Sequence, residues 1–325
     1  MRVLIDTTYS RRGATGTGVY IEHLVPALRD LGVDVVEAAN ERRRAPAGGG
    51  PGSLANAAQD ARWSLVELPR RARAAGADLV HHALPATSPG VRQVVTVHDV
   101  AFERLPDAFD PRFRAFARRA HRRAARRAGA VVCPSETTAR DVAALWGIAR
   151  ERIVVAPHGP GQAPSEHVAD EHFLYVGDAE PRKNLSTLRA AHDLYVARGG
   201  TVPLVVAGGA GTRVDGDELA ALYARALALV HPALHEGFGM TPLEAMHAGV
   251  PVLAARSPGV VETCGDAAAY FDPHDPADLA RALADLAGDA ATRADLAARG
   301  RTRAAGYGWE RSARAHLAAY TLALT

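Results

Sequence analysis

The sequence predicts an α/β protein made of two Rossmann-like domains facing across a cleft. Three observations carry this. Short apolar runs alternate with stretches long enough to form helices. The alternation falls into two sets, separated by a segment rich in Pro and Gly. The length, 325 residues, suits about two domains.

Six strands are expected in the first set, at residues 3–6, 33–38, 79–82, 94–98, 130–134 and 153–157. The stretch 157–172 holds Pro157, Gly159, Pro160, Gly161 and Pro164 and reads as a linker. Five more strands are expected at 173–177, 204–207, 228–232, 251–255 and 268–271. Residues 309–325 read as a closing helix that packs back on the N-terminal domain, giving boundaries of 1–160, 170–308 and 309–325. Residues 41–52, with three consecutive Arg and then a Gly run, read as a mobile surface loop. Ligands of such folds bind outside the carboxyl ends of the strands, so the loops after strands are where chemistry is expected.

Hydrophobic residues make up 48 % of the chain and charged residues 23 %, enough apolar mass to exclude disorder as the dominant state. The net charge of +2 gives no general case for polyanion or nucleic-acid binding. Cys133 and Cys264 are the only cysteines and lie far apart, which excludes a disulfide framework and suits a reducing cytosol. No run of eighteen apolar residues is present, and the N-terminus begins as a strand without signal-peptide anatomy. A cytoplasmic protein is the expectation.

The most informative run is His235-Glu236-Gly237-Phe238-Gly239-Met240-Thr241-Pro242-Leu243-Glu244-Ala245-Met246. It follows a strand and opens a helix. Thr241 is the expected N-cap, with Pro242 at the first helical position. The free N–H groups there form an anion site, and Gly237 and Gly239 let a ligand approach the backbone. Glu236 is placed to meet positive charge developing on a sugar ring. Thr241-x-x-Glu244 is equally a capping box, in which Glu244 serves only the backbone.

Of the 38 basic residues 37 are Arg, and the single Lys, Lys183, sits after a strand and ahead of a helix. A compact ammonium there suits a phosphate contact. His98 follows an apolar strand and precedes Asp99, either facing the cleft or satisfied at the sheet edge. The His231 and His235 pair has no helical face between its members, so metal ligation is not expected. Asp215-Gly216-Asp217 reads as a helix cap. Between Arg112 and Arg127 lie eight Arg and no acid, with like charges at i,i+4 that destabilise a helix unless an anion offsets them. Contact with a membrane surface is one reading, a solvated helix another; nucleic acid has no supporting context.

Glu236 and Glu244 form E-x7-E inside E-G-F-G-M-T-P-L-E-A-M-x-A-G-V-P-V, and the pattern continues through Gly259, Glu262 and Gly265-Asp266-Ala267. This resembles the family 4 retaining glycosyltransferases, which have the GT-B fold. Tyr175-Val176-Gly177 with Glu180-Pro181-Arg182-Lys183-Asn184-Leu185 is similar to that family's diphosphate-binding turn. So are Ile5-Asp6, Gly16-Thr17-Gly18-Val19-Tyr20 and Val95-Thr96-Val97-His98-Asp99 in the first half. The resemblance implies sugar transfer with retention from a GDP- or UDP-sugar to a glycan, lipid-linked or small-molecule acceptor, with no metal and no other cofactor. It implies that Arg182 and Lys183 neutralise the donor diphosphate and that Glu244 bonds the ribose hydroxyls. Glu236 and His98 would lie near the transferred sugar, and Gly16 and Gly18 would form a tight loop over the diphosphate. Gly237, Phe238, Gly239, Met240 and Thr241 would complete the donor site. The N-terminal half is similar to bacterial polysaccharide mannosyltransferases, which points to GDP-mannose; the membrane reading of residues 112–127 points to the inner membrane face.

Two departures stand out. Asp178 occupies a position where many members of that family carry Arg. Only residues 210–216 separate Gly208-Gly209 from Asp217-Glu218-Leu219, where a further helix and strand are usual, so the second sheet is expected to lose a strand. An alternative follows from this: a catalytically idle GT-B-like subunit of a glycan-assembly complex.

Overall fold

A computed structural model describes residues 1–12, 15–42, 51–161, 167–209, 211–212 and 214–325, with backbone only at 12 and 51–55. The expected loop therefore lies mostly outside the described residues, as does the middle of the expected linker. Two compact units are formed. The first comprises Met1–Glu103, Pro111–His158 and Trp309–Thr325; the second comprises Arg104–Asp110 and Gly159–Gly308.

The first unit is built on β1 (Arg2–Asp6), β2 (Asp34–Ala38), β3 (Leu79–His82), β4 (Gln93–Thr96), β5 (Ala130–Cys133) and β6 (Ile153–Val155). They pair in parallel in the order β2-β1-β3-β4-β5-β6. Side chains alternate across the sheet, as a pleat requires. Val3 and Ile5 pack with Tyr20, Leu24 and Leu28 of the helix Gly16–Asp30. Leu4 and Val80 face the other way, onto Trp63 and Leu68. β4 ends at Thr96, two residues before the expected end, which leaves His98 and Asp99 in the loop beyond its carboxyl edge.

The helix Trp309–Leu324 packs on the same side as the helix Gly16–Asp30 and is joined to the sheet by a buried polar chain. The His316 Nδ1 hydrogen donates to the Ser312 carbonyl (2.7 Å), which leaves Nε2 to accept from the Tyr20 hydroxyl (2.7 Å). Tyr20 Oη in turn lies 2.8 Å from Thr96 Oγ1, itself 2.8 Å from His81 Nε2, and His81 Nδ1 lies 2.8 Å from Tyr320 Oη. A carbonyl cannot donate, so the first bond fixes the direction of the rest: each group donates to one neighbour and accepts from the other.

The second unit contains β7 (His172–Val176), β8 (Leu204–Ala207), β9 (Ala226–His231), β10 (Val252–Ala255) and β11 (Ala269–Phe271), parallel in the order β11-β10-β9-β7-β8. Among the described residues this sheet has one strand fewer than the first. After β8 the Gly208 N–H donates to the Thr212 carbonyl, and the chain enters the helix Gly216–Ala224. Asp215 caps that helix in a reciprocal pair with Glu218, as expected from its sequence. β9 is buried along its whole length and delivers His231 and the loop after it to the carboxyl edge.

Tyr20→Phe removes the hydroxyl on which the polar chain turns and strands His316 Nε2 without a donor. It is expected to destabilise the first unit by about 1–3 kcal/mol, the cost of a buried unsatisfied group, read as a lower urea midpoint; an unchanged midpoint would refute a structural role for the chain.

Candidate active site

In the second unit two loops meet at the carboxyl edge of the sheet. After β7 the chain passes through the turn Pro181–Lys183 to Asn184, whose φ of 57° is left-handed, and then into the helix Leu185–Ala197. Asn184 Nδ2 donates to the carbonyls of Pro232 (3.2 Å) and Pro273 (2.8 Å). The Leu234 N–H donates to the Arg182 carbonyl (2.9 Å). These bonds pin the turn after β7 to the loop after β9.

The result is a charged cluster. Lys183 Nζ lies 2.5 Å from Glu236 Oε1, Arg182 Nη1 lies 3.5 Å from Glu236 Oε2, and His231 Nε2 lies 3.5 Å from Glu236 Oε1. Burial alone pushes the Glu236 carboxyl up. Lys183, the His231 ring 3.5 Å away and Arg182 together outweigh it and hold Glu236 well below the usual carboxylate range. His231 is lowered by its own burial, against the pull of Glu236, and stays neutral near pH 7.

The helix Met240–Ala248 begins directly beyond this cluster. Thr241 is not its N-cap. Gly239, at φ 97°, holds that place, which puts Pro242 at the third helical position rather than the first. A left-handed turn is open to Gly without strain, so the chain enters the helix two residues early. Pro242 is tolerated there because first-turn N–H groups have no helical acceptor. Among the described residues no side chain caps this helix. Glu244 is not part of a capping box: it is buried and accepts from the Tyr223 hydroxyl (3.1 Å). Burial pushes its carboxyl up to about 7, against the bonds from Tyr223 and the Gly161 N–H.

The loop between is clamped from behind. The Thr263 hydroxyl donates to the Phe238 carbonyl (2.5 Å), and the Phe238 ring packs edge-on to Tyr307 in the core. Met240 also packs against that core. The Phe238 ring is therefore committed to the core. A Cβ on Gly259 would lie 2.1 Å from the Glu236 carbonyl oxygen, so only Gly lets the helix Pro258–Cys264 pass beneath the loop.

The first unit holds the other residues singled out. Gly16 and Gly18 do not form a tight loop. They are the first turn of the helix Gly16–Asp30, because Thr15 caps it by accepting from the Gly18 N–H (3.1 Å). His98 Nε2 lies 3.0 Å from the Ala83 carbonyl and must donate to it, and Nδ1 lies 3.3 Å from His158 Nε2. Burial lowers the His98 pKa to about 4, so the ring is neutral at pH 7. His158 stacks on Trp309, with ring centroids 5.7 Å apart.

Residues 14–159 match the family described as Glycosyltransferase Family 4, and residues 211–303 match Glycosyl transferases group 1. The chain belongs to the GT-B glycosyltransferases. O-antigen chain mannosyltransferase B of Escherichia coli is 26 % identical over 269 residues, which cover 71 % of this chain and 70 % of that one. Of the longer serotype-specific mannosyltransferases of the same organism the chain spans only 27 to 28 %. Among solved structures, sucrose-phosphate synthase from Thermosynechococcus elongatus has a TM-score of 0.79 at 18 % identity, covering 99 % of this chain and 98 % of that one. Anabaena Alr3699/HepE, solved in complex with UDP and glucose, has a TM-score of 0.68 at 16 % identity, covering 98 % of both. At such identities these two bear on the fold alone.

Within this GT-B glycosyltransferase, sequence reading missed Tyr223, His231 as a partner of Glu236, and His158. His158 was legible in principle, since it lies just past a strand's carboxyl end, as His98 does. Nothing in the spacing pointed to Tyr223. Asp178, at the departure from the family pattern, is exposed, and its carbonyl accepts from the Tyr175 hydroxyl (2.7 Å).

Gly259→Ala forces a methyl into the Glu236 carbonyl. It is expected to cost about 1–3 kcal/mol of stability as an overpacking substitution, measured by urea unfolding of the full chain. Wild-type stability would refute the close approach.

Proposed function

We propose that this glycosyltransferase moves a hexose, with retention and without a metal, from a nucleotide-diphosphate sugar to a glycan, lipid-linked or small-molecule acceptor. The observation that carries the reading is the cluster of Lys183, Arg182 and Glu236 beside the uncapped start of the helix Met240–Ala248. An ammonium has three hydrogens, and Glu236 takes one, which leaves Lys183 able to hold a phosphate oxygen as well. Arg182 and the first-turn N–H groups add charge and donors for the same pyrophosphate.

In the reaction the bond from the sugar C1 to the diphosphate oxygen breaks, and its electron pair leaves with the diphosphate. The acceptor oxygen bonds C1 on the same face, and its proton passes to the departing phosphate oxygen. Glu236, kept ionised, faces the positive charge that develops on the ring. No side chain is assigned as a covalent nucleophile. Glu244 would accept from the donor ribose, and His98 would lie on the acceptor side. Relatives named as mannosyltransferases favour GDP-mannose as donor. An idle subunit is not favoured, since the charged groups a donor needs are assembled despite the short segment after β8.

Nucleotide release with GDP-mannose and with UDP-sugars tests the assignment. Lys183→Ala and Glu236→Ala are each expected to lower kcat by about 10²-fold or more, the scale of a lost electrostatic contact in a transition state; undiminished turnover in both rejects the assignment.

Glu244 adds a pH dependence. Its carboxyl is protonated below about 7 in the free protein, whereas a ribose hydroxyl donating to it favours the ionised form. Donor binding thus releases a proton, and affinity rises with pH up to that value, by at most about tenfold per unit, then levels off. Titration calorimetry from acid to mildly alkaline pH should show this rise in the wild type and a flat profile in Glu244→Gln; a rise of equal size in both removes Glu244 from the ribose site.

A further inference from the structure

The helix Pro111–Arg127 takes no part in the chemistry above, yet it is the most charged element in the chain. Its eight Arg carry +8 in a chain whose total is +2, so everything else sums to −6. Ala117, Ala124 and Ala125 are buried and fix the helix to the first unit. Arg118 lies 3.4 Å from Glu103, and Arg126 Nε donates to the Trp146 carbonyl (3.1 Å). Among the described residues, Arg114, Arg119, Arg122, Arg123 and Arg127 make no ion pair.

Seven of the eight Arg, all but Arg112, line one open groove of 790 Å³. Like charges so close repel, and an anion must offset them. The groove is far larger than one phosphate, so a single ion does not account for it. Two large apolar side chains lie within this cationic helix: Phe116 is 65 % exposed, and Phe113, one turn earlier, is 50 % exposed. Arg119 and Arg123 follow Phe116 at i+3 and i+7, on its side of the helix. No helix among the described residues is long and apolar enough to cross a membrane. Exposed aromatics amid guanidinium groups on a helix about 25 Å long (17 residues at 1.5 Å each) suit an element lying in the plane of an interface.

We infer that the helix Pro111–Arg127 docks this protein on an anionic lipid surface, with the Arg side chains on lipid phosphates and Phe116 inserted at the headgroup boundary. Diffuse negative charge on a bilayer matches a row of cations better than any one compact anion does. The inference stands apart from the glycosyl-transfer reading, since vesicle binding is measured without a donor.

The test is co-sedimentation of the full chain with phosphatidylcholine vesicles, with and without about 30 mol % phosphatidylglycerol, the anionic lipid supplying the surface potential. Anionic vesicles are expected to hold at least about tenfold more protein than neutral ones at low salt, with the difference shrinking as salt rises. Removing three charges in Arg119→Gln/Arg123→Gln/Arg127→Gln is expected to cost at least about tenfold in partition, each charge near such a surface being worth about fivefold, while the thermal midpoint stays put. Phe116→Trp gives a second readout that needs no loss of binding: its emission should shift to the blue on anionic vesicles. Equal partition onto neutral and anionic vesicles, full binding by the triple variant, or unchanged Phe116→Trp emission in the bound state would each overturn the proposal. So would single-stranded DNA that displaces the protein from vesicles at equal phosphate concentration.

Discussion

The contact between Lys183 and Glu236 is the constraint on which the carboxyl-edge face of the second unit depends. Bringing a carboxylate and an ammonium out of water costs several kcal/mol, and their attraction repays this only when geometry is fixed and the remaining hydrogens find partners. The surrounding residues meet that requirement through the backbone. Asn184 accepts a left-handed conformation in order to reach two carbonyls, Leu234 bonds across to Arg182, and Thr263 holds the Phe238 carbonyl. Gly259 gives up a side chain so that a helix can support the same loop. None of these groups needs to touch a substrate for the site to depend on them.

The same principle separates the two glutamates of one motif. Glu236 and Glu244 are eight positions apart and equally buried, at 9 % exposure each. Burial pushes both carboxyls up. Glu236 has an ammonium, a guanidinium and an imidazole against it, and these overcome burial. Among the described residues Glu244 has a phenol and a backbone N–H, and these do not. A charged acceptor and a carboxyl that titrates near neutral pH thus stand on either side of a single helix start, set by partners that come from other segments of the chain. Stability follows opposite courses with pH. The Glu236 contribution is present above its unfolded value and lost only in acid, whereas that of Glu244 is present in acid and lost as pH rises through about 7.

All eleven strands of the described residues were legible in the sequence, because a buried parallel strand is a short apolar run bounded by turn residues. That Lys183 and Glu236 lie beyond the carboxyl ends of their strands was legible for the same reason. Local detail was harder wherever two residues could serve one purpose. Thr241 and Gly239 both suit a helix start; the spacing favoured the hydroxyl, and the turn chose the residue that tolerates positive φ. Gly16 and Gly18 looked like a loop because Gly usually signals one, but Thr15, immediately before them, was the stronger signal. The pairings of Glu236 with His231 and of Glu244 with Tyr223 depend on which strands become neighbours, and periodicity within one segment carries no trace of that.

The buried polar chain of the first unit shows what such long-range pairing does for assembly. Tyr20, His81 and Thr96 come from the helix after β1 and from β3 and β4, but Ser312, His316 and Tyr320 lie on a helix that follows the entire second unit in sequence. Residues 1–158 alone would expose the apolar face that this helix covers, leaving His81 Nδ1 without its donor and the Tyr20 hydroxyl without its acceptor. Buried groups in that state cost more than the bonds they later make. The first unit is therefore incomplete until residues 309–325 return to it, after 150 intervening residues have been made. Closing so long a loop costs only slowly increasing entropy, so a distant helix can complete the unit without a large penalty. Directed hydrogen bonds, more than apolar area, then fix the register in which it docks, because a slip of one residue would set His316 and Tyr320 against the wrong partners.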